Sequence, residues 1–100
     1  MKNGFKVLWT DHALSELQST FEYLENNWTE KEIVKLVLKL EHTVELISKN
    51  PAMFQVSLEK NGIRQAVVMK HNTLYYRIIG ETIEILSFFS NRQNPSRRRF

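Results

Sequence analysis

The sequence contains no cysteine, which excludes a disulfide framework and any zinc site built on thiolates. It also lacks a long apolar run. Ile33 to Leu40 and Thr82 to Phe89 are the best candidates, and each is short or broken by charge, far below the roughly 20 residues that span a bilayer. The opening Met1-Lys2-Asn3-Gly4 leads straight into an alternating pattern, without the apolar stretch and small-residue cleavage site of a secretory signal. The expectation is a soluble chain without a membrane partner, assigned to the cytoplasm by default. Internal repeats, low-complexity tracts and compositional breaks are missing too. A chain of 100 residues with 42% hydrophobic content therefore reads as one domain, 1–100, with a thin core.

Charge is present but unevenly placed. The net value is +3. Positions 11 to 50 hold eight acids against four lysines, and positions 51 to 100 hold three acids against eight bases. Arg92, Arg97, Arg98 and Arg99 follow one another with no acid between them, so 92–100 forms a basic C-terminal tail. Such a tail favours a polyanion or an acidic partner at close range. On charge alone, a solvated tail that aids solubility ranks first.

Phe5, Val7 and Trp9 alternate with Lys6 and Leu8, the period of two of a strand with one buried face. Thr10 and Asp11 are both competent helix N-caps. After them Leu14, Leu17, Phe21, Leu24 and Trp28 fall on one helical stripe, and this helix ends near Asn26-Asn27. Thr29 with Glu32 has the form of a capping box that opens a second helix. Ile33, Leu36, Val37, Leu40, Val44 and Ile47 give that helix an apolar face until Lys49-Asn50-Pro51 stops it. The short connection makes an antiparallel helical hairpin.

Ile63 to Lys70, Thr73 to Ile79 and Thr82 to Phe89 are rich in β-branched and aromatic residues and are separated by His71-Asn72 and Gly80-Glu81. They read as a three-strand antiparallel meander. With two-residue turns, Met69 faces Leu74, Val67 faces Tyr76, Gln65 faces Ile78, Ile78 faces Ile83 and Tyr76 faces Ile85. The opposite face then carries Arg64, Val68, Lys70, Tyr75, Arg77, Glu84, Leu86 and Phe88. Arg77 lies across from Glu84, which predicts an ion pair. The fold class is α+β, in the order β-α-α-β-β-β, with the helical hairpin packed on a mostly antiparallel four-stranded sheet. The sequence does not place the first strand within that sheet.

Over essentially its whole length this pattern resembles the RelE/ParE superfamily of bacterial toxins. The residues that carry the resemblance are Val7-Leu8-Trp9-Thr10 with Ala13, Asn27-Trp28, Glu45-Leu46-Ile47-Ser48-Lys49-Asn50-Pro51, Gly62-Ile63-Arg64, His71-Asn72-Thr73-Leu74-Tyr75-Tyr76-Arg77, Ile83-Glu84-Ile85-Leu86 and Asn91-Arg92-Gln93-Asn94-Pro95. Their order and spacing are the signal. The resemblance implies a growth-inhibiting, plasmid-stabilising toxin, neutralised by a cognate antitoxin protein. Its target would be the ribosome with its mRNA, as for the RelE-like endoribonucleases, or DNA gyrase, as for the ParE-like poisons. A non-toxic nucleic-acid- or ribosome-binding adaptor of the same fold is the alternative.

For RNA cleavage the resemblance implies a basic residue on the first meander strand, matched by Arg64, and an arginine after the last strand, matched by Arg92. The terminal tyrosine or histidine of the RelE pattern has no counterpart, because no Tyr or His follows Tyr76. His71, placed in a turn, is the candidate acid or base. Tyr75 and Phe88 on the open face, with Lys70, Arg97, Arg98 and Arg99, are the candidate partner-binding residues. His12 and His42 fall at helical positions without an i+4 partner for a metal pair, so no metal and no cofactor is expected.

Overall fold

The computed structural model describes residues 4–27, 29–57 and 62–90. Trp28 and the arginines of the C-terminal tail lie outside the described residues. β1 (Lys6–Trp9) leads into α1 (Asp11–Asn27) and α2 (Glu30–Lys49). A 3-10 turn (Pro51–Met53), a two-residue strand β2 (Gln55–Val56), and then β3 (Arg64–Met69), β4 (Asn72–Ile79) and β5 (Thr82–Ser90) follow.

Thr10 caps α1: its Oγ1 accepts from the Ala13 N–H at 3.1 Å and donates to the Ile85 carbonyl at 3.0 Å. Asp11 is the first helical residue, where its charge suits the helix dipole. Thr29 caps α2 by accepting from the Glu32 N–H. Asn50 ends it with its N–H on the Leu46 carbonyl, and Pro51 starts the 3-10 turn.

The sheet order is β1-β5-β4-β3-β2. β1 runs parallel to β5 at one edge, and the other pairings are antiparallel. This corrects the expected strand count: the sheet has five strands, not four. The fifth, β2, is too short to show periodicity, and it exists because Gln55 and Val56 lie alongside Gln65 and Arg64. At the start of β1, the Phe5 N–H reaches the Ser48 carbonyl at 2.7 Å. A Cβ on Gly4 would sit 2.7 Å from that same oxygen, so the close approach requires glycine.

Register within the meander departs from the expectation in an instructive way. The β4–β5 turn is Gly80-Glu81 as expected, and Ile78↔Ile83, Arg77↔Glu84 and Tyr76↔Ile85 pair as read from the sequence. The Arg77–Glu84 ion pair forms at 2.7 Å. The β3–β4 turn, however, is Lys70-His71, because Met69 pairs with Asn72. Two β-bulges follow: Val68 stands unpaired between Val67↔Thr73 and Met69↔Asn72, and Leu86 between Tyr76↔Ile85 and Tyr75↔Ser87. One extra residue reverses the inward and outward alternation beyond it. Val68 and Phe88 are thereby turned into the core, Val67 is 65% exposed, and Arg64 comes opposite Tyr76 on the face that carries the helices.

The core lies between the hairpin and that face. It joins Ala13, Leu24, Leu36, Leu40 and Ile47 of the helices to Ala66, Val68, Leu74, Tyr76, Ile83, Ile85 and Phe88 of the sheet. On α1 the inward stripe runs through Ala13, Thr20 and Leu24, and Leu14 is 47% exposed. The buried Thr20 and Thr43 hydroxyls donate to the carbonyls four residues earlier, which satisfies them without a tertiary partner.

Leu40→Asp would place an unpaired carboxylate in this core and should cost about 4 kcal/mol or more. A thermal melt of the purified variant is expected to show a large loss of stability. An unchanged melt would contradict the packing of α2.

Candidate functional site

Arg64 opens β3 between Val56 and Tyr76. Its Nη1 donates to the Ala52 carbonyl at 3.2 Å and to the Phe54 carbonyl at 2.5 Å. Tyr76, fully buried, donates its hydroxyl to the Pro51 carbonyl at 2.6 Å. Its ring meets Phe54 edge-on, with centroids 6.3 Å apart. Burial pushes the Tyr76 phenol up from 10.0 to about 12, against a smaller opposing pull from the Arg64 charge. These contacts bind the segment after α2 to the sheet through the Pro51, Ala52 and Phe54 carbonyls. The open-face position expected for Arg64 is therefore corrected: the Val68 bulge carries it to the helix side.

His71 is half-buried in the β3–β4 turn beside the exposed Lys70. Arg64 opens β3 and His71 lies in the turn beyond its other end, and the five strand steps from Arg64 to Met69 alone span roughly 17 Å. Ser90, the last residue of β5, pairs with Asn72, so β5 ends at the His71 side of the sheet. The structure thus gathers Lys70, His71 and the exit of β5 at one end and leaves Arg64 at the other. Arg92, Arg97, Arg98 and Arg99 lie outside the described residues.

The two aromatic candidates are not surface groups. Phe88 is 1% exposed and belongs to the core, because the Leu86 bulge turned it inward. Tyr75 is 4% exposed. It occupies the central strand with Gln65 on one side and Ser87 on the other, where neighbouring strands flank a large ring on both sides.

Sequence reasoning missed Glu16. Its Oε1 accepts from the Ser87 hydroxyl at 2.6 Å and from the Phe88 N–H at 3.0 Å, and lies 3.3 Å from His12 Nε2. His12 therefore does have an i+4 partner, and it is this carboxylate. A signal was available: with Ala13, Thr20 and Leu24 facing inward, an acid at 16 falls beside the buried stripe. Drawing the stripe through Leu14 concealed it.

Among the described residues, no group of three or more acids and histidines could hold a metal ion. No described helix is long and apolar enough to cross a membrane. Two open grooves stand out among the described residues. One of about 500 Å³ runs between β1 and α2, lined by Val7, Trp9, Leu40 and Val44 with Glu41 and Glu45 on its rim. The other, of about 410 Å³, follows Leu14, Leu17 and Phe21 along α1, beside Glu22 and Glu25.

Residues 7–95 match the family model described as ParE toxin of type II toxin-antitoxin system, parDE. No curated protein matches the sequence. Among solved structures, the chain superimposes on a chromosomal ParDE system from P. aeruginosa with a TM-score of 0.74 at 16% identity, covering 89% of this chain and 98% of the other. It also resembles the YoeB dimer from Staphylococcus aureus, with a TM-score of 0.59, 20% identity and coverage of 85% and 94%. The DinJ-YafQ complex of E. coli gives a TM-score of 0.60 at 12% identity, with coverage of 89% and 94%.

The Tyr76 phenol yields a pH prediction. An unfolded tyrosine ionises near 10 and the folded one near 12, so its contribution to stability is complete below pH 10 and is lost as pH rises toward 12. Tyr76→Phe should lower stability by about 1–2 kcal/mol at neutral pH through loss of the Pro51 hydrogen bond. The gap between wild type and variant should narrow between pH 10 and 12 in urea unfolding. A constant gap would show that the phenol is not buried as described.

Proposed function

The chain belongs to the ParE toxin family and is the toxin of a bacterial type II toxin-antitoxin system; from that premise we propose that it arrests growth by binding DNA gyrase and not by cutting mRNA. The observation that carries this reading is the position of Arg64. Its guanidinium is committed to the Ala52 and Phe54 carbonyls on the helix side, and the strand that separates it from the His71 turn spans about 17 Å. In-line cleavage of RNA needs a base at the 2′-hydroxyl and a cation at the same phosphate, within hydrogen-bond reach of each other's substrate atoms. With its guanidinium held on those carbonyls, Arg64 does not converge with His71 on a common phosphate position. A binding toxin needs no such convergence. Its requirements are a rigid body and charged or apolar surface for the target; the exposed Lys70 beside the exit of β5 supplies one cation, and Arg92, Arg97, Arg98 and Arg99 follow in the sequence.

The partner that neutralises the toxin is a cognate antitoxin. With Tyr75 and Phe88 buried, its apolar anchors have to be received elsewhere, and the groove between β1 and α2 is the exposed apolar surface suited to them. Val44→Lys, at the centre of that groove, should weaken capture of the antitoxin encoded beside the toxin gene, while circular dichroism stays native. Unchanged affinity would move the interface away from α2.

Brief induction in cells, with protein and DNA synthesis followed in parallel, separates the two targets. The expected result is early loss of DNA synthesis with filamentation while translation continues. Immediate loss of translation with cut mRNA would overturn the proposal. In the same assay, Arg64→Ala should reduce toxicity only as far as it reduces folding, by about 1.5–3 kcal/mol for hydrogen bonds to a charged donor. A stable Arg64→Ala protein without toxicity would instead put Arg64 against the target.

A further inference from the structure

α2 distributes its charges in a way that its own stability does not favour. Lys31, Lys35 and Lys39 recur every four residues, and all three are exposed. Residues three and four apart are neighbours on a helix, and like charges at that spacing destabilise it. Of the positions three and four residues from each of these lysines, only Glu32 is acidic, and among the described residues it forms no ion pair with Lys35. Where the same helix offers an acid at the right spacing the pair does form, as between Lys49 Nζ and Glu45 Oε2 at 3.1 Å. Lys31 also lies in the first turn of α2, at the positive end of the helix dipole. A surface that breaks local preferences without a compensating contact inside the molecule points to a contact outside it.

Apolar side chains run beside the lysines. Val34 is 51% exposed and Leu38 61%; they stand four residues apart, and each follows a lysine by three, so the two form a ridge parallel to the lysine stripe. A helix turns about 100° per residue, which puts this ridge on the side away from the buried Leu36, Leu40, Thr43 and Ile47. By the same count Lys35 and Lys39 fall on one flank of α2, and Glu41 and Val44, which line the groove against β1, fall on the other. One helix thus presents two surfaces of opposite charge. The stripe from Lys31 to Lys39 is about 12 Å long, a little over two turns, a length that one short partner helix covers.

We propose that this exposed side of α2 is a docking surface for an acidic amphipathic helix of the target protein, separate from the groove that takes the antitoxin. The proposal deepens the reading of the chain as a binding toxin and rests on it. Acids on the partner answer Lys31, Lys35 and Lys39, and its apolar residues answer Val34 and Leu38, the combination of apolar centre and charged rim found in protein interfaces. A nucleic-acid backbone would use the lysines and leave both apolar side chains without a partner. An acidic helix is also repelled from the groove by Glu41 and Glu45 on its rim, so charge sorts two partners onto two flanks.

The test uses the full chain and, as probe, a synthetic helix of about 15 residues with leucines at i, i+4 and i+7 between glutamate flanks, followed by fluorescence anisotropy. The wild type is expected to bind it. Replacing Lys31, Lys35 and Lys39 together by glutamine should weaken binding about tenfold and flatten its salt dependence, and Leu38→Ser should weaken it about fivefold at every salt concentration. All of these positions are exposed, so both variants should fold. Removal of like-charged neighbours should even raise the melting temperature of the glutamine variant, the reverse of what a structural role would give. Unchanged affinity in either variant overturns the proposal. So does tighter binding of a duplex DNA fragment that depends on the lysines and not on Leu38, which would make the stripe a phosphate-binding surface. In cells, the glutamine variant should need about tenfold more inducer for growth arrest at equal protein level, while the antitoxin still captures it. Loss of antitoxin capture with toxicity retained would assign the surface to the antitoxin and overturn the proposal. If the wild type itself fails to arrest growth while the probe binds with the expected lysine and leucine dependence, the toxin reading has failed and the docking surface stands.

Discussion

Val68 and Leu86 each stand without a cross-strand partner, and the arrangement of the sheet depends on these two residues. An unpaired residue in an antiparallel ladder exchanges inside for outside in everything beyond it. At Leu86 the exchange brings Phe88 under the helices, where it completes a core that a regular strand would have left short of a large ring. At Val68 it brings Arg64 to the helix side and sends Val67 to solvent. The Val68 bulge lies at the Lys70-His71 end, where β5 also finishes, and the Leu86 bulge lies midway along the β4–β5 ladder.

The opposite end is closed by hydrogen bonds. Tyr76 and Arg64 hold the carbonyls of Pro51, Ala52 and Phe54, which fastens the exit of α2 to the middle of the sheet. The Phe5 N–H on the Ser48 carbonyl ties the other flank of that helix end to the start of β1. A chain of this size has little apolar surface to spare, and polar groups that are fully satisfied in a buried setting add rigidity that hydrophobic contact alone does not specify.

Charge is divided along the same axis. α1 holds Asp11, Glu16, Glu22 and Glu25 and no lysine or arginine, whereas the arginines of positions 92 to 99 come after the last strand. One of the four α1 acids is withdrawn from the surface to the edge of β5, where it accepts from two successive residues. The body is thus tied by an acid at the place where the basic end begins.

Much of this protein was legible in the residues themselves. Alternation marked β1, Thr29 and Pro51 bounded α2, Gly80 set the β4–β5 hairpin, and the pairing of Arg77 with Glu84 followed from it. The order and spacing of these signals also pointed to the toxin family. They are local, each resting on a few neighbouring residues whose conformational preferences act alone. The strand count, the place of β1 beside β5, the faces of Arg64 and Phe88 and the burial of Tyr75 were not legible. Each depends on segments far apart in the sequence, in some cases on a two-residue pairing or a single unpaired residue, and is stabilised only when those segments meet. Glu16 shows the same limit: as a lone acid on a helix it reads as solvated, and only the bulged edge of β5, 71 residues away at Ser87, makes it a partner. Local propensity chose the elements; the long-range ladder, where one residue more or less inverts a face, chose what they present.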